Sequence, residues 1–424
     1  MRRRLTRAAG DTFRSISVRN FRLFFVGQLI SQTGTWLTMV TQTLLVLELT
    51  GSGVAIGVLA AAMFGPLLVL GPWGGSLADR VDKRRLLLRT QSAAMIQSLV
   101  LAAVVFTGVA SVPVIYALAL VQGVLFALDT PARRAFVAEM VPPEMVPNAV
   151  SLNSAIMTAA RVVGPAMAGA LVLTVGFGWA FLLDGLSYGA VIYGLWAMRT
   201  TELHPSTPAP QGPQMVRDGL RYVRARPDLL VPMLMLAVIG TLAFNFQVTI
   251  PLLVTGPLGG GTGTFTLLFS VLSVGSLVGA LGTARRTEVT NHHIVMAAGG
   301  FGLAMVGLAV APGLWAAFPV AVVVGLTSVA FLTASTAVVQ LRAAPEYRGR
   351  VLALQSMVFL GSTPIGGPLL GLVSDVLGPR VGVMIGAMAC LGAAAWGHRA
   401  LDRARASTRR DDPASTDPAI ALAD

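Results

Sequence analysis

A chain of 424 residues with 54% hydrophobic and only 12% charged side chains carries about half the charge that keeps a soluble domain solvated, which argues against a large water-soluble enzyme. One cysteine and four histidines exclude a disulfide framework, a multi-cysteine zinc site and an iron–sulfur cluster, and no G-x-x-x-x-G-K-[ST] nucleotide loop occurs, so no metal, cofactor or nucleotide is expected. The net charge of +12 is almost all arginine, Lys83 being the only lysine, and its distribution must decide between nucleic acid, acidic lipid and membrane orientation.

A membrane-spanning helix needs about 20 mostly apolar residues. Residues 1–21 form an arginine-rich tail ahead of a first span at 22–48. That stretch is longer than a signal-peptide core and lacks a small-x-small cleavage pattern, so it reads as a retained span. Gln28, Gln32, Thr35 and Gln42 fall on one face of it, with Trp36 alongside. Polar side chains in lipid belong against other helices or a wet cavity, and cavity lining is the expectation here.

Further spans follow at 53–76, 86–107 and 112–130. The fifth, 148–174, contains Arg161 near the bilayer centre, where a cation must face protein or water and costs at least about 2.5 kcal/mol. A substrate-anion contact, a structural ion pair and a gating partner are the three readings of it. Three residues on, Gly164-Pro165 and then Gly169 supply small residues and a helix bend. The sixth span, 179–198, places Asp184 about five residues inside its outer end. An intramembrane carboxylate is a proton-relay candidate, with a helix-start cap as the alternative. A direct pair with Arg161 needs a long reach, because the two levels differ by roughly 10 Å at 1.5 Å per residue.

Residues 199–228 join the halves as a cytoplasmic linker. Its proline-rich stretch, 201–213, precedes an amphipathic piece with Val216, Leu220 and Val223 on one face and Arg217, Arg221 and Arg224 on another, suited to lipid headgroups. The second half spans at 229–252, 263–284, 293–311, 314–339, 350–374 and 380–397, and the tail 398–424 reads as disordered.

Of the 31 cations, 29 fall on alternate connections and the tails, while Arg161 and Arg380 fall elsewhere. By the positive-inside rule both termini are cytoplasmic, consistent with an even number of spans. A nucleic-acid footprint would instead gather charge on one soluble module. A shift of 202 residues aligns PPEMVPNAVSLNS (142–154) with APEYRGRVLALQS (344–356) and, in the same register, Gly164 with Gly366 and Gly169 with Gly371. The repeat predicts an all-α integral membrane fold of twelve helices in two parallel six-helix halves, 22–198 and 229–397.

The connection Gly74-Gly75-Ser76-Leu77-Ala78-Asp79-Arg80-Val81-Asp82-Lys83-Arg84-Arg85-Leu86-Leu87 resembles the G-x-L-a-D-r-x-G-r-k loop of the major facilitator superfamily. Gly75, Leu77, Asp79, Arg80, Lys83 and Arg84 match, and Asp82 stands where that pattern has glycine. Acid near a helix N-terminus and cations near C-termini suit the helix dipoles, so the loop is expected to act as a latch on the cytoplasmic gate. The resemblance implies that an acid at the cytoplasmic end of span four joins it, and Asp129 occupies such a place. It also implies a cavity lined by spans one, four, seven and ten, which adds Gln122, Phe126, Asn245, Phe246 and Gln247 to Gln28, Gln32 and Trp36.

Gly164-Pro165 with Gly169 is similar to the G-P-x-x-G-G signature of proton-coupled drug exporters, with Ala168 replacing one glycine. Together with Asn20–Gln28, Leu45–Ser52, Leu182–Tyr188 and Tyr347–Leu354, these motifs resemble the enterobactin-exporter-like drug-efflux branch of the superfamily. The resemblance implies secondary active export of a siderophore or amphipathic drug-like molecule, commonly driven by the proton gradient, for which Asp184 and Arg161 are the candidate coupling residues read from their place in the spans. The arginine of the span-four R-x-x-Q-G pattern is absent, since Ala119 precedes Leu120-Val121-Gln122-Gly123. An importer or uncoupled facilitator is the nearest alternative, and a non-transporting membrane sensor the alternative of another class.

Overall fold

The computed structural model describes residues 13–204, 213–284 and 290–411, and these are helical almost throughout. In chain order the helices are α1 (Arg19–Thr50), α2 (Gly53–Arg80), α3 (Lys83–Phe106), α4 (Val112–Glu139), α5 (Val146–Thr174) and α6 (Phe177–Trp196). A short α7 (Pro213–Arg224) precedes α8 (Pro227–Leu242), α9 (Phe246–Thr255), α10 (Thr262–Ala284), α11 (Asn291–Ala309), α12 (Leu314–Arg342), α13 (Pro345–Leu377) and α14 (Pro379–Asp411). Among the described residues ten stretches are long and apolar enough to cross a membrane, with α8 and α9 counted together as Pro227–Thr255. The long helices outside the ten are α1, with its stripe of glutamines and threonines, and α6, which holds Asp184.

Hydrogen bonds sort the turns into two ends. At one, Ser15 bonds Asn148 and Met145, Asn20 bonds Arg199, and Arg84 bonds Leu195 and Trp196. At the opposite, far end, Asp375 bonds the start of α2 and Arg380 donates to Ala309 O at 2.8 Å. Arg380, off-pattern by sequence, thus serves an orphan carbonyl at the C-terminus of α11.

α1 packs on α5 and α6, α3 on α6, and α2 on α4; later in the chain α10 packs on α12, and α11 on α12 and α14. The most extensive contacts between the first six helices and the later ones are α2 with α13 and α5 with α10, and α9 also touches α1 and α2. With no water to expel between lipid-bathed helices, small residues and close van der Waals contact decide these crossings. The repeated glycines take equivalent roles in them. A Cβ on Gly164 would lie 2.5 Å from Trp36 Cβ in α1, and one on Gly366 would meet Thr241 O in α8. One on Gly169 would meet Thr266 in α10, and one on Gly371 would meet Gly53 O in α2. The same 202-residue register relates Gly176 to Gly378, whose φ values of +92° and +95° need glycine in the turns before α6 and α14.

Three sequence expectations change. α4 continues nine residues beyond 130 to Glu139, because Pro131 sits inside the helix without ending it. α14 continues to Asp411, through the first part of the tail expected to be disordered, and 412–424 lie outside the described residues. The amphipathic piece is a helix packed on protein: Val223 is buried, Tyr222 stacks on Tyr347 at 4.3 Å, and Gly219 abuts Arg350 and Leu354 of α13. The proline-rich stretch lies mostly outside the described residues, as do Arg285 and Arg286.

Candidate functional site

The polar stripe of α1 turns inward onto a buried network. Asp129 of α4 accepts from Thr90 Oγ1 at 2.9 Å and Gln91 Nε2 at 2.7 Å, both on α3, and pairs with Arg133 one turn along its own helix. Arg133 Nη1 donates to Gln28 Oε1 at 3.0 Å, and Gln32 Nε2 donates to the same oxygen at 3.2 Å. Thr35 Oγ1 lies 3.3 Å from Tyr188 OH on α6. A cavity with about 20 Å³ open to water-sized bodies lies among these groups, bounded also by Ser31, Gln122, Leu125 and Phe126, which is room for about one water. Gln122 has both amide atoms buried without a partner among the described residues. The arrangement is a charge-compensated acid in a four-helix crevice, able to exchange hydrogen bonds with a small polar visitor.

Asp129 therefore does not join the gating loop. The span-four boundary expected at 130 made it look terminal, but it lies ten residues inside α4, about 15 Å from the helix end. The acid at that end is Glu139, whose Oε1 receives Lys83 Nζ at 2.7 Å with both side chains about 10% exposed. Arg133, counted by sequence among the loop cations, belongs to the buried network for the same reason.

Elsewhere in the loop Arg84 Nε donates to Leu195 O at 2.7 Å, a cation on the C-terminus of α6. Asp82 Oδ1 accepts from Arg85 N at 3.1 Å and caps α3, which explains an acid in place of glycine. Asp79 has one buried carboxylate oxygen without a partner among the described residues. Arg80 is exposed and Leu77 lines a surface groove with Arg85 and Arg89. The glycine required by the approach of α2 to α4 is Gly74, where a Cβ would meet Ala127 O, while Gly75 is half-buried.

Asp184 is fully buried and accepts from Ser98 Oγ of α3 at 2.9 Å. The hydroxyls of Thr38 and Ser187 also face it. A Cβ on Gly34 would lie 2.5 Å from Asp184 Oδ1, so that glycine makes the space for the carboxylate. No cation pairs with Asp184 among the described residues. Arg161 lies apart from it, its guanidinium 4.9 Å from the centre of the Trp36 ring. Gly164 and Pro165 are buried, Gly164 beneath Trp36 and Gly169 against Thr266.

The candidates on the seventh span are not brought into this crevice. Asn245 starts α9 after the break in that span and returns Nδ2 to Thr241 O at 2.8 Å, satisfying backbone exposed by the interruption. Phe246 packs in a cluster with Phe244 and Phe301. Gln247 reaches α1, with Nε2 3.4 Å from Met39 Sδ. Sequence reasoning missed Thr90, Gln91, Glu139, Tyr188 and Asp375. Glu139 was legible from the helix-compatible run 131–139, whereas the others join the site only through packing.

Membrane-length helices with polar groups and a compensated acid buried between them are the architecture of a multi-pass membrane protein. The chain belongs to the major facilitator family described as transmembrane secretion effector, whose model matches residues 11–421. It is a transporter rather than an enzyme, and a multi-pass protein of the bacterial cytoplasmic membrane. It is 23% identical over 365 residues to the staphyloferrin A transporter of Staphylococcus aureus, covering 84% of this chain and 90% of that protein. It is 24% identical to the enterobactin exporter EntS of Salmonella typhimurium (85% and 86% covered) and 26% to the multidrug efflux pump Tap of Mycobacterium bovis (84% and 87%). In fold it is similar to an inward-facing, occupied bacterial homologue of the human lysosomal transporter Spinster, with a TM-score of 0.69 at 18% identity over 92% of this chain and 97% of that one. A D-xylose–proton symporter is as close in fold, at TM-score 0.69 and 13% identity over 89% and 96%.

Proposed function

We propose that this transporter exports an amphipathic organic solute, siderophore-like or drug-like, against its gradient in exchange for protons. The working unit is two six-helix halves, 22–198 and 229–397, rocking about a central site, with twelve spans when α8 and α9 are one crossing and with both termini cytoplasmic. The two most extensive linking pairs, α2 with α13 and α5 with α10, relate to each other as the repeat requires. Export is supported by the names of the relatives, an enterobactin exporter and a multidrug efflux pump.

The observation that carries proton coupling is Asp184, a fully buried carboxylate surrounded by hydroxyls and lacking a counter-charge among the described residues. A group of this kind inside a membrane marks a proton path by default. Transport in proteoliposomes under an imposed pH gradient tests it. Movement against the solute gradient, abolished by a protonophore and by Asp184→Asn, supports the reading; movement indifferent to both makes the protein a facilitator.

A second coupling route is favoured by one observation: Asp129, paired with Arg133, borders the small polar cavity. Protonating Asp129 would release Arg133 to a substrate or to Gln28 alone. Proton dependence lost in Asp129→Asn and kept in Asp184→Asn assigns coupling to that pair.

A further inference from the structure

We infer that Arg161 is the anion-binding subsite of the transport path, so that the preferred solute carries an acidic group next to an apolar or aromatic body. The inference deepens the export reading and rests on it. Arg161, Pro165 and Ala168 lie on one face of α5, at i, i+4 and i+7. Pro165 and Ala168 are buried, and Ala168 belongs to a core that also holds Phe265, Leu268 and Phe269 of α10. The arginine therefore faces the later helices and not lipid.

One turn nearer the end that holds the N-terminus, the same face is no longer covered. Arg161 is exposed, Met157 is 40% exposed, and Ser154 beyond it is exposed. On the neighbouring α1, Leu29 and Ile30 are 38% and 45% exposed. With Pro165 and Ala168 covered on one side of it and Met157 and Ser154 uncovered on the other, Arg161 sits where the burial of this face ends.

No carboxylate pairs with Arg161 among the described residues, and its guanidinium lies over the Trp36 ring at 4.9 Å. A guanidinium stacked on an aromatic face keeps its in-plane N–H donors free, and these match a carboxylate or sulfonate in two-point fashion. A mid-membrane cation retained without a protein counter-charge is expensive, and an anionic passenger supplies that charge while it is bound. Beside it, Met157, Leu29 and Ile30 offer an apolar surface to the rest of the molecule. The amide groups of Gln28, Gln32 and Gln122, which are neutral, are engaged or enclosed in the separate crevice.

Three probes of one shape isolate the charge: 1-naphthoate, 1-naphthamide and 1-naphthylmethylammonium. Equilibrium dialysis at neutral pH on the full-length protein in detergent is expected to show naphthoate bound at least about tenfold more tightly than the amide, as one charge-assisted contact supplies. Arg161→Gln should bring the two within about twofold, and Arg161→Lys should restore part of the preference, provided that both elute from size exclusion as wild type does. Equal binding of the three probes by wild type, no binding of naphthoate up to its solubility, or a preference that survives Arg161→Gln overturns the subsite. Proteoliposome flux separates this from the export reading. Preferential binding without proton-driven flux keeps the subsite and removes the export reading, whereas proton-driven flux of naphthamide with no naphthoate preference does the reverse.

Discussion

The two ends of the helix bundle are held together by different means. At the far end the links run between helices from opposite halves of the sequence. Gly53 and Gly57 of α2 lie against Gly371 and Gly367 of α13, and Asp375 accepts from Ser52 Oγ at 2.7 Å, Gly53 N at 2.6 Å and Val54 N at 3.0 Å, capping α2 from across the interface. At the end bearing the N-terminus the charged contacts among the described residues stay within one half of the sequence or the other: Lys83 with Glu139 and Arg84 with the end of α6 in the first, Arg342 with Asp228 and Arg350 with Asp218 in the second. On the proposed export reading, the far end is closed by contacts that the alternating-access cycle would break, while at the opposite end each half of the sequence is braced within itself. Backbone-to-backbone approach at glycine is all-or-none, which suits a seal, whereas side-chain ion pairs can be exchanged one at a time.

The largest effect should follow from breaking the glycine seal. Gly371→Leu drives a side chain into Gly53 O, so flux is expected to fall at least about tenfold, since close small-residue crossings do not absorb a branched side chain. Spin labels at Val109 and Val310, both exposed at the far end, should report a wider mean distance than in wild type; unchanged distances and flux would show that the seal is ordinary packing.

Between the two ends, Asp184→Asn should remove the dependence of flux on the pH gradient while solute binding persists within about twofold, as expected when a proton carrier and not a ligand contact is lost. Gly34→Val, which pushes into the same carboxylate, should copy that phenotype, and retained proton dependence in both would shift attention to Asp129.

At the braced end, Lys83→Gln or Glu139→Gln removes a largely buried ion pair and should lower both thermal stability and flux. The exchanged pair Lys83→Glu with Glu139→Lys should recover most of both if the ion pair itself matters. No recovery would mean that helix-end electrostatics, not pairing, set the cost.

The smallest effect belongs to the far-end cap. Asp375→Asn keeps shape but weakens charge-assisted bonds, worth about 1 kcal/mol for a cap, so the conformer equilibrium should move roughly fivefold toward far-end opening. Labels at Val109 and Val310 read that shift directly, and no shift would leave the glycine contacts as what holds α2 to α13 at this end.

Much of the architecture was legible in the chain because a bilayer imposes simple rules. Spans show as apolar runs, and the 202-residue repeat foretold Gly164 with Gly366 and Gly169 with Gly371 in equivalent contacts. The site was less legible. The stripe Gln28, Gln32 and Thr35 pointed inward as periodicity required, and Asp184 stood out because lipid tolerates few carboxylates. That Asp129 is braced by Thr90, Gln91 and Arg133 while the hydroxyl of Ser98 bonds Asp184 depends on which helices pack together, a pairwise fact that no linear pattern carries. The loop motif was visible, yet its partner acid was misplaced by ten residues because hydropathy marks where a helix leaves the apolar layer and not where the helix ends. Composition, span positions, charge asymmetry and the repeat were determined by the sequence alone, since each is a one-dimensional response to the membrane. The tertiary structure alone decided the crevice around Asp129, the isolation of Arg161 over Trp36 and the cap from Asp375, since each joins groups tens to hundreds of residues apart.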